Sequence, residues 1–154
     1  MGKRVLASGA FELIHPGHVR FLEEAKRIGG EGSKLIVVVA RDETIRKRKG
    51  RDPILREEAR RYVVSMLKPV DEAILGYVPF SFEKIIDEVK PDIIVFGYDQ
   101  DELMNQFREF AEKRGLKLEI VKASRYFSSD HSSTTEIMKR ITRIFSNKGS
   151  TEQI

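Results

Sequence analysis

The sequence predicts an α/β protein, a single domain built on a parallel sheet, and three observations carry that expectation. Apolar runs alternate with amphipathic segments with little left over, which is the pattern of βαβ units. The run Leu35 to Ala40 is continuous and mostly β-branched, as a strand covered on both faces requires. The chain has 154 residues, 40% of them hydrophobic, and no cysteine. A domain of that size buries roughly 70% of its unfolded surface and needs no disulfides to hold its core.

Each element follows from its own residues. Val5 to Ser8 reads as the first strand. Pro16 to Ile28 carries Val19, Phe21, Leu22, Ala25 and Ile28 at three- and four-residue spacings with charges between, so it reads as a helix. Leu35 to Ala40 is the second strand. Arg56 to Leu67 is a helix stopped at Lys68-Pro69, because proline disfavours a helical residue before it. A strand at Glu72 to Leu75, a helix at Phe82 to Val89 and a strand at Ile93 to Phe96 come next. A helix near Glu102 to Lys113 closes on Gly115, a strand follows at Lys117 to Lys122, and a last helix runs from Thr134 to Phe145. The domain spans residues 1–146, and the polar stretch 147–154 reads as a flexible tail.

Composition removes several functions. Without cysteine there is no disulfide framework, no Cys-ligated zinc and no thiol nucleophile. The longest apolar run is far short of the roughly 20 residues a membrane helix needs, and no signal-peptide core follows Met1 to Arg4. A cytoplasmic protein with no membrane partner is expected. Lys plus Arg is 28 against 24 Asp plus Glu, a net charge of +4 that attracts anions without marking a nucleic-acid binder. The basic stretch from Arg46 to Arg51 reads as a solvated loop or helix end, and Arg41 to Arg61 lacks the aromatic residues, apart from the charges, that stacked bases need.

In an open parallel sheet, ligands sit outside the carboxyl ends of the strands. After the first strand come Gly9-Ala10-Phe11, then His15-Pro16-Gly17-His18 opening a helix. Gly9 allows close main-chain approach, Pro16 suits the first helical position, and Gly17 leaves room at the helix end, where free N–H groups favour an anion. His15 and His18, three apart, project from one side of that turn. They converge on a phosphate, although a structural pair or, with His131, a three-histidine zinc site has the same residues. The cluster Gly29 to Lys34 follows a helix and lacks phosphate-loop spacing, so it is a helix stop and turn. Gly97-Tyr98-Asp99-Gln100 lies at another carboxyl edge, with Asp99 read first as a helix cap and second as a ligand contact. Ser133 with Glu136 forms a capping box, and the surplus hydroxyls of Ser132, Thr134 and Thr135 suit a second phosphate.

The HPGH element after a Gly-Ala-Phe strand end, the basic loop, the E-E-A-R segment and the late S-S-T-T helix start resemble the small nucleotidyltransferases related to glycerol-3-phosphate cytidylyltransferase. Within that superfamily, ARDETIRKRKGRDPI, LKPVDEAILG, the GYDQ loop and His131 to Ser133 are most similar to archaeal-type FAD synthase, an FMN adenylyltransferase. The resemblance implies a Rossmann-like five-stranded parallel sheet with helices on both faces. It also implies attack of an FMN phosphate on the α-phosphorus of ATP, with substrate-borne Mg²⁺ present and pyrophosphate leaving, and a possible homodimer. His15 and His18 fall on the family histidines, Lys49 on the family lysine, Arg60 on the arginine of the second helix, and Ser133 with Thr134 on the hydroxyls that hold the outer phosphates. Nucleotide contacts are expected from Gly9, Ala10, Phe11, Pro16, Gly17, Gly97, Asp99, Tyr126 and Ser132 as well; no residue is expected to hold a metal.

Two departures bear on the substrate. Gly-Thr-Phe-Asp is usual in the family where this chain has Gly9-Ala10-Phe11-Glu12, so only backbone contact is expected at Ala10. Ser128 stands where cytidylyltransferases carry an arginine. The runners-up are a cytidylyltransferase acting on glycerol 3-phosphate and, from another class, a nucleotide-binding module. A flavin also needs a flat apolar slot, for which Phe11, Tyr98, Tyr126 and Phe127 are available.

Overall fold

The computed structural model describes residues 2–125 and 133–146. Five parallel strands form one sheet in the order β3-β2-β1-β4-β5, where β1 is Arg4–Gly9, β2 Lys34–Val39, β3 Glu72–Leu75, β4 Ile93–Phe96 and β5 Glu119–Lys122. The helices are α1 (Pro16–Gly29), α2 (Asp42–Lys49), α3 (Glu57–Ser65), α4 (Phe82–Val89), α5 (Asp101–Arg114) and α6 (Thr134–Ser146). No helix among them is long and apolar enough to cross a membrane.

Strand alternation divides the interior into two cores. Val5, Ala7, Leu35, Val37, Val39, Ile93 and Val95 point to one face, where Leu22 and Ala25 of α1 and Val64 of α3 cover them. Leu6, Ile36, Val38, Ile94 and Phe96 point to the other, under Ile85 and Val89 of α4 and Met104, Phe107 and Ala111 of α5. Both faces of the central strands are therefore dry, which explains why these segments read as unbroken apolar runs rather than alternating ones. The order reverses at β1: the chain moves outward through β2 and β3, then returns to place β4 on the other side of β1. That reversal opens a crevice above the ends of β1 and β4.

The expected architecture holds, with local differences. Of the two readings of the basic stretch, loop or helix end, the helix end holds: Arg46 to Lys49 form the last turn of α2, a helix the sequence did not reveal and of which only Ile45 is buried. The turn after α1 is structural, as expected: a Cβ on Gly29 would lie 2.6 Å from Val5 Cγ2, and Gly30 has φ 81°. The tail 147–154 lies outside the described residues.

Candidate active site

At the end of β1 the chain turns sharply. Phe11 adopts φ 51°, a left-handed conformation unusual for a large side chain, and its ring is buried. The ring packs beneath Gly9, where a Cβ would fall 2.9 Å from Phe11 Cε2. Gly9 is thus required by a neighbouring side chain of its own chain, a reason beyond the close ligand approach expected of it. The same turn sets the Phe11 ring 5.2 Å from that of His18.

His15 is the residue preceding α1 in extended conformation, and Pro16 takes the first helical position. The His15 N–H donates to His18 Nδ1 at 3.4 Å, so the His18 ring closes the start of the helix. The two rings stack with centroids 3.7 Å apart at 27°. Burial, and then His15 beside it, push His18 down from the usual histidine value to about 3. Burial lowers His15 as well, against the opposing pull of Asp99. Both rings are neutral at pH 7 and offer N–H groups rather than cations. Among the described residues, Nδ1 of His15 is a buried side-chain nitrogen without a hydrogen-bond partner, a cost the fold tolerates at a site built to meet something else.

Opposite this pair stands a charged wall. Glu12 is 1% exposed yet ionised: Lys49 Nζ donates to Oε2 at 2.7 Å, and Arg51 donates in a fork, Nη1 to Oε1 and Nη2 to Oε2, both at 2.9 Å. The Ile54 N–H adds a bond to Oε1 at 3.2 Å. Burial works to raise this carboxyl, but the Arg51, Lys49 and Ile54 hydrogen bonds outweigh it and bring it down to about 2. The family comparison at this position suggested a departure; the structure shows a hub, and sequence reasoning missed it.

These walls enclose a cavity of about 270 Å³. Of the residues expected to bind nucleotide or act in catalysis, Gly9, Ala10 and Phe11 line it from the end of β1, His15, Gly17 and His18 from the start of α1, and Lys49 from the end of α2. Gly97, Asp99, Ser133 and Thr134 line it from the opposite side. Pro16 is exposed on α1 and does not line it; Tyr126 and Ser132 lie outside the described residues, as do Ser128 and His131. Arg60 does not line it either. Its side chain is 0% exposed and each guanidinium nitrogen is bonded: Nε to the Leu55 carbonyl at 2.8 Å, Nη1 to the Ala10 carbonyl at 2.8 Å, Nη2 to Asp42 Oδ1 at 2.7 Å. A buried cation bonded through all three nitrogens holds the Ala10 peptide in place instead of presenting charge to the cavity.

Asp99 is not the cap of α5. Gln100 occupies that position, without capping through its side chain. The Gln100 amide instead bridges strands: its Nε2 donates to the Ser8 carbonyl at 3.2 Å, and its Oε1 accepts from the Gly97 N–H at 2.7 Å. A Cβ on Gly97 would stand 3.1 Å from Asp99 Oδ1, so Gly97 makes room for the loop that presents Asp99 to the cavity. Ser133 caps α6 as expected, its Oγ accepting the Glu136 N–H at 3.1 Å, which leaves the Ser133 O–H to donate. Of the candidate slot aromatics, Phe11 is a buried wall, Tyr98 lines the cavity, and Tyr126 and Phe127 fall outside the described residues.

A second cavity of about 110 Å³ adjoins the first and shares Ser8, Gly9, Ala10, Lys49 and Gln100 with it. It extends toward the ends of β2 and β3, between Tyr77, Phe80 and Leu103 on the apolar side and Arg41 and Arg48 on the basic side. The Arg48 guanidinium lies over the Phe80 ring, 5.4 Å from its centroid.

A strand order reversing at β1, a histidine pair at the first helix and a lysine facing it define a nucleotidyltransferase-type site, and the chain belongs to the cytidylyltransferase-like family, whose pattern matches residues 6–140. Within it, the chain is 48% identical to the FAD synthase of Methanopyrus kandleri over 145 residues, covering 94% of this chain and 95% of that one. It is 49% identical to the FAD synthase of Methanothermobacter marburgensis over 142 residues, covering 92% and 87%. A crystal structure described as the lipopolysaccharide core biosynthesis protein from Thermoplasma volcanium superposes with a TM-score of 0.74 at 42% identity, over 82% of this chain and all of that one.

Proposed function

We propose that this protein is an FMN adenylyltransferase: an FMN phosphate oxygen attacks the α-phosphorus of ATP, the bond to the β-phosphate breaks, and FAD and pyrophosphate leave. The observation that carries the reading is the convergence of neutral His15 and His18, the α1 start, Lys49 and the Ser133 and Thr134 hydroxyls on one cavity. Its substrates follow from the archaeal FAD synthases that match over nine-tenths of the chain.

Phosphoryl-type transfer needs positioning and charge stabilisation more than covalent help. Two neutral imidazoles donate to oxygens of the α-phosphate without adding fixed charge that would trap the ground state. Lys49 meets the negative charge gathered by triphosphate and acceptor together, because it lines both cavities. The α6 start, with free N–H groups and hydroxyls, receives the outer phosphates. The acceptor enters from the second cavity, where Tyr77 and Phe80 offer aromatic faces and Arg41 and Arg48 offer charge. A divalent cation arrives on the triphosphate as part of the substrate in this reading, bridging its phosphate oxygens.

The test is chromatography of ATP, FMN and Mg²⁺ incubated with the purified protein. FAD and pyrophosphate in equal amounts are expected, with CTP a poor donor and glycerol 3-phosphate no acceptor. Efficient CDP-glycerol formation without FAD would overturn the substrate assignment and leave the histidine chemistry standing.

A further inference from the structure

Glu12 has no part in the phosphate chemistry above, yet it is among the most completely buried charged groups described, with its carboxylate on the cavity wall. Its bonding is unequal in an informative way. Arg51 reaches both oxygens and the Ile54 N–H secures Oε1, so each oxygen keeps a partner if Lys49 departs. Lys49 touches only Oε2, its side chain is 42% exposed, and it alone of the two cations lines the cavity. A lysine on a flexible stem can exchange one anionic partner for another, whereas a forked arginine resists such movement.

We propose that Glu12 and Arg51 form a holding place for Lys49, from which its ammonium passes to an entering phosphate and to which it returns when product leaves. Removing one partner of a buried pair leaves an unpaired charge and is costly. Here Arg51 keeps Glu12 neutralised while Lys49 is away, so the exchange carries only a small penalty. Glu12 is accordingly a positioning residue acting through Lys49: it weakens the site's grip on polyphosphate enough for pyrophosphate to escape. The local charge is one minus and two plus, a balance of +1 that rises to +2 when the carboxylate is made neutral.

The inference rests on the cavity being a triphosphate site, and the test reads binding of a non-hydrolysable α,β-methylene ATP analogue without any acceptor. Glu12→Gln is expected to bind the analogue roughly fivefold tighter or more and to be inhibited by lower pyrophosphate, while kcat falls. Arg51→Gln, which leaves Lys49 as the main cation of Glu12, is expected to bind it several-fold more weakly. In a Lys49→Met background the Arg51→Gln change is expected to have a clearly smaller effect, because only its direct charge contribution remains once Lys49 is gone. Weaker binding by a folded Glu12→Gln, or an Arg51→Gln effect equally large without Lys49, would overturn the proposal. Should Glu12→Gln fail to fold, the Arg51 and Lys49 cycle decides alone. A wild-type chain that does not bind the analogue would instead strike the proposed function itself.

Discussion

On the α1 wall of the cavity, His15 and His18 are packed against each other and stay neutral; in the turn after β1, where the end of α2 meets it, Glu12 is buried still more completely and stays ionised. The difference lies in the partners. The histidines face each other, Phe11 and backbone, so desolvation wins and the charged form is suppressed. Glu12 faces two cations and an N–H, so hydrogen bonds overturn the same penalty. One site thus keeps a pair of uncharged donors beside a charged cluster, and each wall can be broken separately.

The largest effect is expected on the neutral wall. His18→Ala should lower turnover by roughly two to three orders of magnitude, the scale of removing one preorganised donor, with the fold retained. Pyrophosphate release and circular dichroism on the same preparation check this; a folded variant at near wild-type rate would remove the histidine wall from the mechanism. On the charged wall, Lys49→Met should slow catalysis by roughly ten- to a hundredfold, the weight of a charge-assisted contact to phosphate. Initial rates at saturating ATP measure it.

Acid stability sharpens the contrast. The unfolded chain restores ordinary values near 6.5 for His18 and 4.5 for Glu12, so it binds more protons than the native state, and stability falls as pH drops. The His18 contribution is complete above pH 6.5 and is lost as pH falls from there toward about 3. The Glu12 contribution is complete above pH 4.5 and is lost as pH falls toward about 2. Urea midpoints from pH 7 downward should lose part of their slope between 6.5 and 4.5 in His18→Ala, whereas Glu12→Gln should flatten the profile only below 4.5. The smallest effect is expected from Lys47→Met. Lys47 is two-thirds exposed and pairs with Glu43 at 3.5 Å, an arrangement that contributes about 0.3–0.5 kcal/mol. Its rate should stay within about twofold of wild type; a loss matching Lys49→Met would return the whole basic helix to a diffuse electrostatic role.

Most of the fold could be read from the residues because both cores depend on continuous apolar strands, and periodicity reports those directly. Helix α2 was harder. With Ile45 as its single buried residue it has little apolar face, and its remaining signals are end effects: Asp42 and Glu43 in the first turn, four cations in the last, Gly50 left-handed beyond. The histidine pair was legible because spacing and helix position fix it locally. Glu12 was not, since its three side-chain and backbone partners lie 37 to 42 residues away, in a stretch whose cations look alike until the fold selects Lys49 and Arg51. The orientation of Arg60 was illegible for the same reason: nothing local distinguishes a guanidinium facing the cavity from one turned inward to the Ala10 carbonyl.

The position of β1 also bears on how the site comes into being. β1 precedes the other four described strands in the chain, but it is the central strand of the sheet, paired with β2 some 30 residues later and with β4 across Val5 and Ile93. Contacts so distant in sequence form late and slowly, since long loops must close before pairing rewards them. The crevice floor waits longer still, for the Gln100 amide to reach the Ser8 carbonyl across 92 residues. During synthesis the histidine helix is therefore complete well before there is a pocket for it to serve, and a nascent chain ending before β4 carries half of the phosphate machinery with no crevice to close it.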